Sequence, residues 1–186
     1  MTTVSAIDAQ APPLQLVTAA QLDITPEMQP GVDRFRPTAL EILARALAAV
    51  RHGVLAPCIF IHGPAGSGKS LLATAMVREC EAVWCLDCVA NAYRCRSNLG
   101  LGAIELAHCA VFVIDAIDLL GGAELQRFYG RCRANGTVLV LMSESRDAPQ
   151  TIGFQLPATS TVFQLSRENG LTPQGLPITP WPTHPD

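Results

Sequence analysis

The chain has 186 residues, a formal net charge of −3 and 49% hydrophobic residues, enough to bury one α/β core with tails. It has no run of Lys or Arg, which disfavours a role in gripping nucleic acid through clustered cations. The N-terminus lacks the basic and apolar regions of a secretory signal and no apolar stretch approaches a membrane span, so a cytoplasmic protein is expected.

Residues 1–30 are rich in Ala, Thr, Gln and Pro without sustained periodicity, and read as a flexible N-terminal arm. A first helix is expected to start at Thr38, which forms a capping box with Glu41, and to stop at Gly53. Leu40, Leu43, Leu47 and Val50 recur at helical spacing and predict its apolar face. The apolar run Cys58–His62 predicts a strand, with His62 packing at its end.

Gly63-Pro64-Ala65-Gly66-Ser67-Gly68-Lys69-Ser70 follows as a complete Walker A phosphate loop. A helix-compatible run, Lys69 to Ala82, leads out of it and carries Leu71 on its first turn. A strand that ends in such a loop and opens a helix turns successive N–H groups inward at the positive end of a helix dipole. Gly63, Gly66 and Gly68 are expected to allow positive φ and close backbone approach. Lys69 is placed to reach the β- and γ-phosphates and Ser70 to ligate Mg²⁺, with the loop through Leu71 cradling ATP or ADP.

A second strand is expected over Ala82–Leu86. Seven cysteines in an intracellular-looking chain argue for free thiols rather than disulfides. Cys85 and Cys88 have metal-ligand spacing, although packing as small hydrophobes is the competing reading. The run Ala110–Ile114 ends in Asp115, the Walker B pattern, whose carboxylate can orient Mg²⁺ opposite Ser70. Ala116 stands where a second carboxylate is often found, leaving Asp118 as either the water-activating group or a turn residue. Leu125, Phe128, Tyr129 and Cys132 form a helical core stripe. The strand Thr137–Met142 then delivers Ser143 as candidate γ-phosphate sensor, with Glu144 and Ser145 as rivals and a plain polar loop as the alternative. A weaker run covers Thr161–Leu165, and residues 169–186 form a proline-rich tail expected to be disordered or extended. Continuous apolar runs predict a mostly parallel five-stranded sheet covered on both faces, in a three-layer P-loop NTPase domain over residues 31–168.

The first helix, the Walker A loop, Val113-Ile-Asp-Ala-Ile-Asp-Leu119, Val138-Leu-Val-Leu-Met142 and Gln155-Leu-Pro-Ala158 stand in an order that resembles the AAA+ base domain of the DnaA family, most nearly its Hda group. The resemblance implies ATP binding with Mg²⁺, partners such as a DnaA-type ATPase and a place in regulating replication initiation, and leaves the oligomeric state open. It also implies a sliding-clamp peptide, for which Gln21, Leu22 and Ile24 are the matching residues, without an aromatic anchor because Thr25 follows. Where the family has Ser-Arg this chain has Ala158-Thr-Ser-Thr161, and the helical lid with its sensor arginine is not found after the last strand. Slow or partner-dependent hydrolysis is therefore expected. Two other readings stay open. One is a small-molecule phosphotransferase, which would need an arginine-bearing lid and an acceptor site, whereas Arg127, Arg131 and Arg133 on the stripe helix read as a solvated face. The other is a degenerate nucleotide-binding structural module.

Overall fold

The computed structural model describes residues 14–51, 58–92, 95, 100–166 and 170–174. Helix α1 spans Gln29–Arg51, strand β1 Cys58–His62, helix α2 Lys69–Glu79 and strand β2 Val83–Asp87. Strand β3 (Val111–Asp115), helix α3 (Gly122–Asn135), strand β4 (Val138–Ser143), helix α4 (Ala148–Ile152), and strands β5 (Thr161–Ser166) and β6 (Gly170–Gln174) follow. The sheet order is β2-β3-β4-β1-β5-β6. All neighbours pair in parallel except β5 with β6.

Because side chains alternate along a strand, each central strand feeds two cores. Ile59, Ile61, Val111, Val113, Val138, Val140 and Met142 face α1 and α2. Phe60, Phe112, Ile114, Leu139 and Leu141 face the opposite layer with Leu125, Phe128 and Cys132 of α3. The result is the expected three-layer arrangement, with six strands instead of five.

The sixth strand falls in the stretch assigned to the tail. Its only strongly apolar residue is Leu171, so hydrophobic patterning does not reveal it; backbone pairing with β5 makes it a strand. Pro173 sits opposite Phe163 in this edge strand, where a missing N–H costs no ladder bond.

The N-terminal segment also differs from a flexible arm over its described part. Val17 bridges Cys85 antiparallel, with N–H···O distances of 2.8 and 2.9 Å, and so covers the edge of β2. Asn91 clamps Gln15 through its side chain at 2.8 and 3.0 Å. Leu22 and Ile24 pack against the α1–α2 core, while Gln21 is exposed and accepts a bond from the Thr18 hydroxyl at 3.2 Å. The two apolar residues expected to anchor a clamp peptide are partly buried against the chain's own core.

Helix α1 starts nine residues before the expected Thr38 cap, at Gln29, and runs through Pro37. Its buried face is Val32, Phe35, Ala39, Ile42, Leu43 and Ala46. Leu40 and Val50, expected inside, are 45% and 40% exposed. The spacing was helical but the stripe is rotated toward Ala39, Ile42 and Ala46. Gly53 lies outside the described residues.

Candidate nucleotide-binding site

The ends of β1, β3 and β4 and the start of α2 converge on one sheet edge. Gly63 leaves β1 with its N–H donating to Ser143 O at 3.1 Å. It is glycine for proximity rather than for φ: a Cβ there would lie 2.2 Å from Leu165 O and 2.9 Å from Ser67 Oγ. Gly66 and Gly68 do take positive φ, 70° and 100°. A Cβ on Gly68 would also stand 2.3 Å from the Phe35 ring, so α1 packs directly beneath the loop. Pro64, Ala65 and Gly66 are exposed and Ser67 is buried. Leu71 packs into the α1–α2 core, near Gly31.

Lys69 is 8% exposed and folds back over the loop. Its ammonium donates to Gly63 O at 2.7 Å and Pro64 O at 3.1 Å, with Ser67 Oγ at 3.5 Å. Burial holds its pKa below the ordinary lysine value, against the fields of Glu144, Asp115 and Asp118. The Ser70 hydroxyl donates to Asp115 Oδ2 at 2.5 Å. Burial raises the Asp115 carboxyl pKa and the neighbouring Asp87 adds to it, while the Ser70 bond and Lys69 act in the opposite sense. The two Walker strands are not adjacent. β4 lies between them, which brings Ser143 into the middle of the site.

Ser143 is fully buried, donates to Asp118 Oδ2 at 2.8 Å and accepts from the Ser145 N–H at 3.1 Å. Asp118 is exposed on a 3-10 turn, Ile117–Leu119, that follows the left-handed Ala116. All the phosphate-loop residues, Asp115, Asp118 and Ser143 therefore gather at one end of the sheet. The oxygens of Ser70 and Asp115 are the hard donors a magnesium ion takes.

Two residues beyond that set also stand here. Asp87 closes β2 in register with Asp115 and accepts from the Val89 and Ala90 N–H groups at 2.8 and 3.0 Å. Its sequence cue is a carboxylate ending an apolar run, as at Asp115. His62 adjoins Gly63, is 7% exposed, and has Nε2 buried without a hydrogen-bond partner.

The remaining expectations separate from the site. Cys85 lies in the α1–α2 core and Cys88 in the opposite one, so the pair does not converge; no metal-holding set of His, Cys, Asp or Glu occurs among the described residues. Arg131 donates to Leu101 O and Gly102 O at 2.8 and 2.9 Å, and to Ile104 O, stapling the segment before β3. Arg127 and Arg133 are exposed, with Arg133 over the Tyr129 ring.

No protein-family model matches the chain, and no curated protein matches it by sequence. Solved structures match by fold. AMPPCP-bound DnaA from Aquifex aeolicus is similar at 17% identity and a TM-score of 0.50, covering 82% of this chain and 51% of its own. A structure described as a DNA replication initiation factor matches at 17% identity and a TM-score of 0.48, over 80% of this chain and 49% of its own. Domain III of DnaA from Thermotoga maritima matches at 19% identity and a TM-score of 0.42, over 74% and 60%. The chain spans about half the length of the first two. At such identities the likeness establishes fold alone: this chain shares the layered α/β fold of the AMPPCP-bound DnaA structure.

Proposed function

We propose that the chain binds ATP or ADP with Mg²⁺ in the Gly63–Ser70 loop and acts as a Hda- or DnaA-like regulator of replication initiation through protein partners. The observation that carries the nucleotide reading is the Ser70–Asp115 contact of 2.5 Å beside a loop whose Lys69 is buried in its own carbonyls. Lys69 would exchange the Gly63 and Pro64 oxygens for phosphate oxygens, and Ser70 and Asp115 would hold the metal. A bound Mg²⁺ would supply charge neutralisation at the phosphates. Ser143, oriented by Asp118, offers a hydroxyl at the strand end where a γ-phosphate would be read.

Partner-mediated action is supported by the DnaA-like fold, and the absence of any Lys/Arg run argues against direct DNA gripping. A DnaA-type ATPase or a second copy of this chain is the partner class favoured. The phosphotransferase alternative loses its best arginine, because Arg131 is held by backbone carbonyls.

Calorimetric titration with Mg·ATP tests the nucleotide reading. Binding should be abolished or greatly weakened in Lys69→Ala; equal affinity in both proteins rules the assignment out. Affinity capture from native cells with and without ATP tests the partner reading. ATP-dependent recovery of a DnaA-type protein or of an untagged second copy of this chain is expected, and recovery of neither overturns it.

A further inference from the structure

His62 stands apart from the loop residues because its buried Nε2 has no hydrogen-bond partner. Its ring lies on the face of β1 that Phe60 occupies, with centroids 5.9 Å apart. In register it sits between Ser143 on β4 and Gln164 on β5. It is 93% buried by complement of its 7% exposure, and Nε2 meets no hydrogen-bond partner. A neutral imidazole must leave that nitrogen as an orphan donor or acceptor, whereas an imidazolium needs a nearby anion. The next residue, Gly63, opens the phosphate loop.

Resting on the nucleotide reading above, we propose that His62 is the residue through which the phosphate site takes up a proton when a nucleotide binds. The charged groups facing His62 are Arg146 and Asp147 on the loop after β4 and Lys69 at the start of α2. Ser143 and Gln164, its strand neighbours, carry no charge. Burial, Arg146 and Lys69 together hold the ring below its ordinary pKa, with Asp147 opposing them. A polyanion seated against Lys69 cancels that cationic field and adds an attractive one, so the ring gains a proton. Its pKa is then higher in the complex than in the free chain. Affinity consequently rises as pH falls from above the pKa of the complex to below that of the free chain, tenfold for each unit between them.

The test titrates the full chain with Mg·ADP at mildly acidic pH in two buffers of different ionisation enthalpy. The wild-type heat should vary with the buffer in the sense of proton uptake, and His62→Gln should bind with a heat that does not vary. Should His62→Gln fail to fold, imidazole NMR of the wild-type chain gives the same information. The His62 resonance, assigned through its backbone connectivity, should move to a higher midpoint on saturation with Mg·ADP. Binding without proton uptake, equal uptake in His62→Gln, or an unmoved His62 midpoint overturns the inference and leaves nucleotide binding intact. No binding of Mg·ADP by the wild type overturns the nucleotide reading, and this inference with it.

Discussion

At the scale of single residues, the proposed phosphate site combines groups that are costly to bury with the contacts that make them tolerable. Asp115 is 7% exposed and Ser70 is its one side-chain donor within the described residues. In Asp115→Asn the carboxylate charge that a divalent ion needs is gone. Nucleotide affinity in Mg²⁺ should fall to the level the wild type shows in excess chelator; a variant that keeps its magnesium dependence would remove Asp115 from the metal site. Glu124 offers a second test, remote from the loop. It is 6% exposed, accepts from the Leu101 N–H at 3.1 Å, and leaves Oε2 without a partner. Burial raises its pKa in the folded chain above the ordinary glutamate value of about 4.5. Stability from this group is therefore full below that value and is lost as pH rises through the folded pKa. Glu124→Gln should flatten the decline and leave the protein more stable at neutral pH by about 1 kcal/mol, read by urea unfolding across pH. A decline of unchanged slope would acquit Glu124. The motif strings made Lys69, Ser70 and Asp115 legible. His62 and Glu124 were not, because what singles them out is a missing partner, and only three-dimensional packing decides that.

Among elements, α1 has the largest hidden role. Its Phe35 ring abuts Gly68, so the helix props the phosphate loop from below, and Gly31 lets Leu71 of α2 approach. Ion pairs Arg78–Asp33 at 2.8 Å and Arg36–Glu79 at 3.0 Å tie the same two helices at the surface. Gly68→Ala meets both a positive φ and the Phe35 ring. It should cost about 1–3 kcal/mol of stability and weaken nucleotide binding. Adding Phe35→Leu should recover part of the stability and none of the φ strain; a Gly68→Ala chain as stable as wild type would show that the helix can retreat freely. The central strands could be read from the sequence because two-sided burial demands unbroken apolar runs, and Cys58–His62 was placed to the residue. α1 was misjudged since Pro37 and the Thr38–Glu41 pair look like a helix start. An N–H lost at Pro37 frees only the Asp33 carbonyl, which an exposed helix face can leave to water. β6 escaped notice for the opposite reason: pairing with β5 forms it, and pairing leaves little mark on a five-residue edge sequence.

For the molecule as a whole, the question is how much chemistry the assembled site can drive alone. Phosphoryl transfer builds charge on the equatorial and leaving oxygens, and catalysis is mostly placed positive charge. Four carboxylates, Asp87, Asp115, Asp118 and Glu144, stand at or just past the ends of β2, β3 and β4. Lys69 is the loop's cation, and Arg146, on the loop after β4, puts its field on His62. Among the described residues the arginines of α3 are turned elsewhere, Arg131 onto the carbonyls before β3 and Arg133 over Tyr129. Ser143 and Asp118 can position a phosphate or a water, but neither adds the missing charge. Steady-state hydrolysis of Mg·ATP by the purified chain should accordingly fall far below the enzyme median of about 10 per second. A partner that inserts an arginine beside the carboxylates should raise it by on the order of 10³-fold or more. Phosphate release followed under single-turnover and steady-state conditions, with and without captured partner, measures both. Rapid turnover by the isolated chain would mean that one of its own arginines reaches the phosphates, and an Arg146→Ala variant would then be the first to examine.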